Sequence, residues 1–269
     1  MPDYLYHYTN LETLRLILKN KTFRLSSLNK MDDLEEGDTQ DFQKLGRFTY
    51  ISSWTNNPDE SLLLWGYSKG NNGVRIRMKS DIFKTEYINE SVYMHGHHVS
   101  IEETFHIGIL DLMKNENVSF VPPRANLIPV QYTDSNELLK PTVCKIFSNG
   151  RFELRIAELG LFKRSQWKDQ QEWRYRLQSM PLNVNELTMT NTPNGLAIIL
   201  ERIRNREELE YIDLPLRDDA FDDLEILCGP KMSNESKGEL TKMLVEYAPN
   251  AIINHSAMKI RPSVIPSEI

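Results

Sequence analysis

The N-terminal segment combines a short aromatic run with a helical apolar pattern, and this predicts a strand, a helix and a second strand. Tyr4–Tyr8 is rich in the aromatic residues that favour strands. Asn10 is a typical helix-capping residue. Apolar residues follow it at helical spacing, at Leu11, Leu14, Ile17 and Leu18. Thr22–Leu25 then has the composition of a second strand.

Two further strands are predicted between residues 48 and 79. Phe48–Trp54 is a run of aromatic, β-branched and small residues that a turn at Asn56–Asp59 ends. A short helix is expected around Ser61–Tyr67. In Val74–Lys79 apolar residues alternate with basic ones, so one face of this strand is expected to be buried and the other to be basic. The basic face consists of Arg75, Arg77 and Lys79.

The pattern is weaker in the rest of the chain. In the segment 80–126 we expect strand or loop with one helix around Glu102–Asn115, and over Asn136–Lys163 mostly helix. Strands are expected at Glu172–Leu177 and near Leu196–Leu200. Because strands and helices are interspersed without a regular βαβ period, the sequence predicts an α+β fold rather than a doubly wound sheet. A single domain over the whole chain, with 80–126 as a helical insertion, is the simplest organisation.

Composition and charge narrow the class of protein. Lys and Arg number 32 and Asp and Glu 38, which gives a net charge of −6. A mildly acidic balance argues against a protein that coats nucleic acid non-specifically. The sequence has no apolar run of the ~18 residues that a membrane helix needs, and its start lacks a secretory pattern. We therefore expect a cytoplasmic protein with no membrane partner.

The sequence lacks the strong catalytic motifs of nucleotide-binding loops, α/β-hydrolases and zinc proteases. A histidine group is the obvious metal candidate, formed by His95, His97 and His98, with His106 nearby. No acidic or cysteine partner follows at a convincing spacing, so we expect a polar loop and no zinc site.

Two segments carry candidate chemistry. His7, Tyr8 and Thr9 end a strand just before a helix N-terminus, where polar groups of a ligand could bind; the alternative is a histidine packed among aromatic residues. In the second segment a strand would place Gln170, Glu172 and Arg174 on one face. The alternative there is an ordinary surface ion pair of Glu172 with Arg174.

Aromatic residues around the third predicted strand are further candidates. Trp54 and Tyr67 could stack on a flat ring such as nicotinamide, whereas core packing is expected for Trp65.

These features occur in an order that resembles the DUF2971 family. The resemblance begins with Leu5–Thr9, continues through the acidic loop Asp32–Glu36, and includes the later strand Ile51–Trp54. In the acidic loop, Asp33 and Glu36 match the family pattern. The second half of the resemblance consists of Leu64–Tyr67, Gly73–Ile76, Lys163, Trp167, Gln170–Arg174 and Ile226–Lys231.

More distantly, the layout is similar to the ADP-ribosyltransferase superfamily, which implies a split, mostly antiparallel sheet and NAD as substrate. The resemblance implies that Glu172 is catalytic, that Gln170 orients the acceptor, and that His7 holds the NAD ribose. It further implies NAD-binding positions at Tyr8, Thr9, Ser52, Ser53, Trp54, Tyr67 and Arg174.

The function expected from this resemblance is mono-ADP-ribosyl transfer to a macromolecular acceptor, either protein or nucleic acid. A bacterial toxin or a phage-defence effector is the context in which such domains are often used. One alternative is a non-catalytic ligand- or nucleic-acid-binding module on the same scaffold, which the basic face of Arg75, Arg77 and Lys79 favours. The other alternative is an NAD-cleaving hydrolase. The oligomeric state is left open by the sequence.

Overall fold

The structure, a computed structural model, describes residues 1–70, 72–148, 152–189 and 194–261. The helices are α1 (Leu11–Asn20), α2 (Leu62–Trp65), α3 (Ile109–Asn115), α4 (Asn136–Leu139), α5 (Val184–Met189), α6 (Gly195–Asn205) and α7 (Asn234–Tyr247). The strands are β1 (Tyr4–Thr9), β2 (Thr22–Ser27), β3 (Thr49–Thr55), β4 (Val74–Lys79), β5 (Thr85–Met94), β6 (His97–His106), β7 (Ser119–Phe120), β8 (Asn126–Pro129), β9 (Gln131–Thr133), β10 (Cys144–Ile146), β11 (Phe152–Leu154), β12 (Phe162–Arg164), β13 (Glu172–Met180), β14 (Tyr211–Pro215), β15 (Glu225–Cys228) and β16 (Ile252–His255). The fold is α+β with mixed sheets, as expected.

The chain divides into two units. Unit 1 comprises residues 1–22, 54–82 and 216–269, and unit 2 comprises residues 23–53 and 83–215. The boundary falls inside β3, after Ser53. The expectation of a single domain stays a prediction.

Unit 1 is built on the strand order β1-β4-β15-β16. β1 and β4 are antiparallel, with His7 opposite Ile76, whereas β15 and β16 are parallel. Alternate residues of β4 are buried, β1 buries Leu5, Tyr8 and Thr9, and α1 and α7 contact one another and contribute further apolar side chains to the core. Residues buried in this unit include Leu5, Leu14, Leu18, Ile76, Met78, Ile226, Leu240 and Leu244.

Unit 2 contains the long strand β13, which pairs with β3, with β8 and with β7. The pairing with β8 is antiparallel, with Arg174 opposite Ile128. β12 is parallel to β9, with Lys163 opposite Tyr132. An apolar cluster supports these elements and consists of Leu45, Phe48, Val143, Leu159, Leu182, Ile199 and Ile203.

The prediction of a helical insertion at 80–126 is wrong in its main element. This segment forms the antiparallel hairpin of β5 and β6, and α3 is its short helix. The predicted helix around 102–115 is confirmed only over Ile109–Asn115. Residues 102–106 lie in β6, where Val99, Ile101 and Phe105 occupy one face at the two-residue period of a strand. His95 and Gly96, both with positive φ, form the tight turn of the hairpin.

Two other element predictions are wrong. In its described part, the segment 136–163 contains the four-residue helix α4, which is followed by Pro141, and then short strands and the 3-10 helix Ile156–Glu158. The predicted interruption at Asn149–Gly150 lies outside the described residues. The apolar run Leu196–Leu200 is helical in α6, because Ile199 and Ile203 bury one face at a spacing of four residues.

Candidate functional site

Two charged residues of β13 meet on one face of the strand. Glu172 and Arg174 are two positions apart, so their side chains project in the same direction. The Arg174 Nε donates to Glu172 Oε1 at 2.6 Å, and its Nη2 donates to Oε2 at 3.0 Å. This is the two-pronged geometry that makes guanidinium–carboxylate pairs strong. The pair is buried, with 0% of Arg174 and 5% of Glu172 exposed, so an ordinary surface ion pair is excluded.

Lys163 brings Gln170 to the same place. The Lys163 Nζ donates to Gln170 Oε1 at 2.9 Å and to Glu172 Oε2 at 3.0 Å. β12 positions this lysine beside β9, and the ammonium lies 4.9 Å from the centre of the Trp167 ring. One ammonium group therefore contacts both Glu172 and Gln170, the carboxylate and the amide that the sequence indicates as candidate site residues.

Glu36 completes a four-residue ionic cluster with Lys163, Glu172 and Arg174. The Arg174 Nη1 donates to Glu36 Oε1, and the Lys163 Nζ lies 3.8 Å from Glu36 Oε2. Arg174 also donates to the Gly160 carbonyl at 3.2 Å. The four charges sum to zero, and each residue is at most 7% exposed. A buried network of this kind is stable only because the charges are paired and hydrogen-bonded.

The loop that carries Glu36 is held by a close approach of two glycines. Gly46 N donates to the Gly37 carbonyl at 2.8 Å. A Cβ atom added to Gly37 would lie 2.8 Å from the Gly46 Cα, and Gly37 has a φ of +83°, which favours glycine. The sequence therefore requires glycine directly after Glu36 for the carboxylate to reach Arg174.

The cluster keeps Glu172 in its anionic form. Burial on its own raises the pKa of this carboxyl, but the charges of Arg174 and Lys163 and the hydrogen bonds from Arg174 and Ser53 outweigh burial and lower its pKa to about 2. For Arg174, burial lowers the pKa, and the charges of Glu172 and Glu36 more than offset this, so that it is raised above its ordinary value. Glu172 therefore carries a full negative charge at neutral pH.

The Glu172 carboxylate has its acceptor positions filled. A carboxylate offers about four lone-pair positions. Oε1 accepts from Arg174 and, at 2.6 Å, from the Ser53 hydroxyl, and Oε2 accepts from Arg174 and Lys163. Three of these four hydrogen bonds come from two buried cationic side chains, Arg174 and Lys163, whereas Ser53 is neutral and partly exposed. A ligand hydroxyl can reach this carboxylate only by taking the place of a donor.

The predicted strand placement of Gln170 is wrong. Gln170 ends the 3-10 helix Ser165–Gln170, and the chain turns at Gln171, which has a φ of 46°, before β13 begins. The Glu172 amide donates to the Tyr132 hydroxyl at 2.8 Å at this first strand position. Gln170 nevertheless meets Glu172 through Lys163, for a reason different from strand alternation.

The predicted NAD-binding residues belong to both units. Ser52, Ser53 and Arg174 are in unit 2, together with Glu172 and Gln170. Ser52 is 5% exposed, whereas Ser53 contacts Glu172 directly.

The remaining predicted residues are in unit 1: His7, Tyr8, Thr9, Trp54 and Tyr67. The ring centres of His7 and Trp54 are 5.1 Å apart, and Trp54 is 3% exposed. The Tyr8 ring packs edge-on against Trp65, which is fully buried as expected, and the Tyr8 hydroxyl accepts from the Ser61 amide at 3.1 Å. Tyr67 is 43% exposed, so its ring is the accessible one among these aromatic residues.

Glu36 and Lys163 are site residues that the sequence did not assign to the site. Both matched positions of the DUF2971 pattern, but nothing in their spacing indicates that they meet Glu172. Their contacts arise from tertiary structure, since Glu36 is 136 residues before Glu172 along the chain. The signal that could have identified them is their charge. Among the positions that resemble DUF2971, Glu36 and Lys163 are a second acidic–basic pair beside Glu172 and Arg174.

Other sequence features do not assemble into sites. Across the described residues, no group of three histidine, cysteine, aspartate or glutamate side chains is placed to hold a metal ion. The His95 ring is hydrogen-bonded to the Met113 carbonyl at 2.7 Å. None of the helices in the described part of the chain combines the length and the apolar character needed to cross a membrane.

Comparison with known proteins gives no relative. The chain matches no family model, no curated protein and no solved structure. The similarity to DUF2971 and to ADP-ribosyltransferases stays a prediction from the sequence, so any functional inference depends on the geometry of the residues themselves.

Proposed function

We propose that the chain is an NAD-dependent mono-ADP-ribosyltransferase-like protein with Glu172 as its catalytic carboxylate. The observation that carries this proposal is the meeting of the Glu172 carboxylate and the Gln170 amide on the Lys163 ammonium. The resemblance implies these two residue types at these two positions. An ADP-ribosyltransferase-like sheet and a toxin or phage-defence context are further parts of the proposal, and they depend on the resemblance.

The chemistry needs a carboxylate that stays ionised. In the transfer step the bond between the ribose C1′ and the nicotinamide nitrogen breaks, and its electron pair leaves with nicotinamide. A nucleophile of the acceptor then bonds to C1′ and releases its proton. Positive charge develops on the ribose during this step, and a fixed anion stabilises it by several kcal/mol. Glu172, with a pKa of about 2, supplies this anion across the physiological pH range.

Ser53 gives the substrate a way to reach Glu172. The Ser53 hydroxyl occupies one acceptor position on Oε1, and it is the only neutral donor among the hydrogen bonds described for this carboxylate. We propose that a ribose hydroxyl of NAD takes over this position. The exchange replaces one hydroxyl donor by another, so the charge balance of the ionic cluster stays unchanged.

Unit 1 contains further residues to which the resemblance assigns a part in NAD binding. His7 and Thr9 are proposed to bind ribose, as the resemblance implies, and Tyr67 has the exposed ring that nicotinamide could stack on. Trp54 is enclosed against His7, so its proposed part is to fix the orientation of the His7 ring.

A non-catalytic binding module is the second candidate, and the filled acceptor positions of Glu172 favour it. In that case the ionic cluster only stabilises unit 2. The basic face offers little to a nucleic-acid partner, because Arg77 pairs with Glu225 and Lys79 with Asp223. A hydrolase that transfers ADP-ribose to water would use the same anion.

Nicotinamide release from NAD separates these functions. The wild-type protein is compared with Glu172→Gln, and Glu186→Gln is the matched control, because Glu186 is also a nearly buried carboxylate paired with arginines. We expect Glu172→Gln to lose roughly 10²–10³-fold in rate and Glu186→Gln to keep its activity. Release that requires an added protein or nucleic acid indicates a transferase, and release without one a hydrolase. A folded Glu172→Gln protein with wild-type activity contradicts the proposal, and the absence of release from the wild type leaves the binding module.

A further inference from the structure

We propose that Lys163 is a positioning residue, whose ammonium fixes the Gln170 amide and holds Glu172 in its anionic form. The effect of Lys163 on the reaction rate rests on the proposed NAD cleavage, whereas the effect of Lys163 on the charge of Glu172 does not. The Lys163 Nζ contacts Gln170 Oε1 at 2.9 Å, Glu172 Oε2 at 3.0 Å and Glu36 Oε2 at 3.8 Å.

The first part of this role is to orient the amide. An ammonium group can only donate hydrogen bonds, so the oxygen of the Gln170 amide has to face Lys163 and its nitrogen has to face away. The choice between the two flips of this side chain is thereby made by the lysine. In the proposed reaction Gln170 orients the acceptor, so its orientation matters there.

The second part is charge balance. Glu36 and Glu172 carry two negative charges, and Lys163 and Arg174 carry two positive charges in the same buried space. Removal of the ammonium leaves two carboxylates facing one guanidinium. Glu36 Oε2 is buried with no hydrogen-bond donor, and the Lys163 ammonium lies 3.8 Å from it. A carboxylate in such an unbalanced site binds a proton more readily.

The charged and titratable groups described around Glu172 bear on the test. They are Arg174 on β13, Lys163 on β12, Tyr132 on β9 and Glu36 on the acidic loop. Tyr132, whose pKa burial raises to about 12, stays neutral over the range of the experiment. The substitution of Lys163 therefore removes one positive charge from this small set of groups and leaves the other side chains of the set in place.

The experiment compares Lys163→Met with the control Lys168→Met, in which an exposed lysine of the 3-10 helix loses the same charge. Thermal stability and nicotinamide release are measured between about pH 3 and pH 8. For Lys163→Met we expect the acid limb of the rate profile to move up by about one pH unit or more. We also expect a loss of stability relative to the wild type that is largest above pH 4.5 and shrinks at lower pH. Lys168→Met should match the wild type in both.

A compensating variant keeps the test decisive if Lys163→Met folds poorly. Adding Glu36→Gln leaves one anion, Glu172, and one cation, Arg174, so this double variant should regain stability over Lys163→Met. For the amide, Gln170→Ala should lower the rate less in the Lys163→Met background than in the wild type. A loss of stability that is independent of pH and is not relieved by Glu36→Gln overturns the proposal. If the wild type releases no nicotinamide, the proposed function fails, and the stability series alone decides the role of Lys163.

Discussion

The Glu172→Gln substitution is the sharpest perturbation of the ionic cluster, because it removes one charge and leaves the shape of the side chain almost unchanged. After the change, Arg174 and Lys163 face a single carboxylate, that of Glu36, so the cluster carries one uncompensated positive charge. The amide side chain of the variant keeps one acceptor oxygen. Its NH₂ group, however, faces the hydrogen-bond donors of Arg174 or Lys163, which donate to a carboxylate oxygen in the wild type. Part of the network is therefore left unsatisfied.

The size of the stability loss can be worked out from the pKa of Glu172. This pKa is about 2 in the folded protein and 4.5 ordinarily. A gap of about 2.5 units at roughly 1.4 kcal/mol per unit corresponds to about 3 kcal/mol of folding free energy at neutral pH. The general cost of breaking a buried ion pair, about 3–5 kcal/mol, agrees with this magnitude. A surface ion pair would contribute only about 0–1 kcal/mol.

The pH dependence has a definite sign. Because the folded-state pKa of Glu172 is lowered, its contribution to stability is complete above its unfolded pKa of 4.5 and is lost as the pH falls toward about 2. The difference in unfolding free energy between wild type and Glu172→Gln should therefore be about 3 kcal/mol at pH 7 and should shrink below pH 4.5. Urea unfolding at a series of pH values measures this difference. A difference under about 1 kcal/mol that does not change with pH would refute the interpretation of Glu172 as part of a buried network.

Three further substitutions test the supports of the site. Ser53→Ala should cost about 1.5–3 kcal/mol in urea unfolding, because the serine donates to a charged group. Nicotinamide release should persist, since a ribose hydroxyl is proposed to take the serine's place, and a loss of more than about tenfold contradicts that exchange. Tyr132→Phe leaves the Glu172 amide without its acceptor and should lower the unfolding free energy by about 1–3 kcal/mol, whereas a neutral result in the same assay would show that this amide finds another acceptor. Gly37→Ala places a Cβ atom 2.8 Å from the Cα of the facing glycine, Gly46, and should lower the melting temperature. Gly238→Ala lies in an open position of α7 and should instead stabilise the protein by about 0.5–1 kcal/mol. Equal effects of the two substitutions would contradict the close approach of Gly37 and Gly46.

The fold could be predicted from the sequence where one period dominates a segment. In α1, apolar residues at helical spacing face the core, and Asn10 caps the helix through a bond from Thr13 N of 2.8 Å. In β4 the alternation of Val74–Lys79 gives one buried and one basic face, as expected. The alternating Glu172–Leu177 segment is likewise a strand. In α1 and β4 local pattern and tertiary burial agree, which is why the pattern was sufficient there.

The prediction failed where apolar residues are clustered without a clear period. Leu196–Leu200 has the composition of a strand, but α6 extends to Asn205 and buries Ile199 and Ile203 against the core of unit 2. The sequence does not predict the β5–β6 hairpin, because its turn is formed by His95 and Gly96. The histidines in this segment are typical of a metal candidate or a polar loop. His95 adopts a positive φ there, which single-residue preferences do not indicate.

The site shows a similar division between what is local and what is tertiary. The shared face of Glu172 and Arg174 follows from their spacing of two residues, so the sequence could predict it. Their burial could not be predicted, because it depends on a lysine from β12 and a glutamate from a loop near the start of unit 2. A lone Glu172–Arg174 pair would be expected at the surface, where water solvates both charges. The second pair, Glu36 and Lys163, makes burial tolerable, since each charge then has an opposite partner. A sequence pattern with four charged positions of balanced sign is therefore more informative than any of its members, because the balance of all four charges, and not the Glu172–Arg174 pair alone, accounts for the burial of the site.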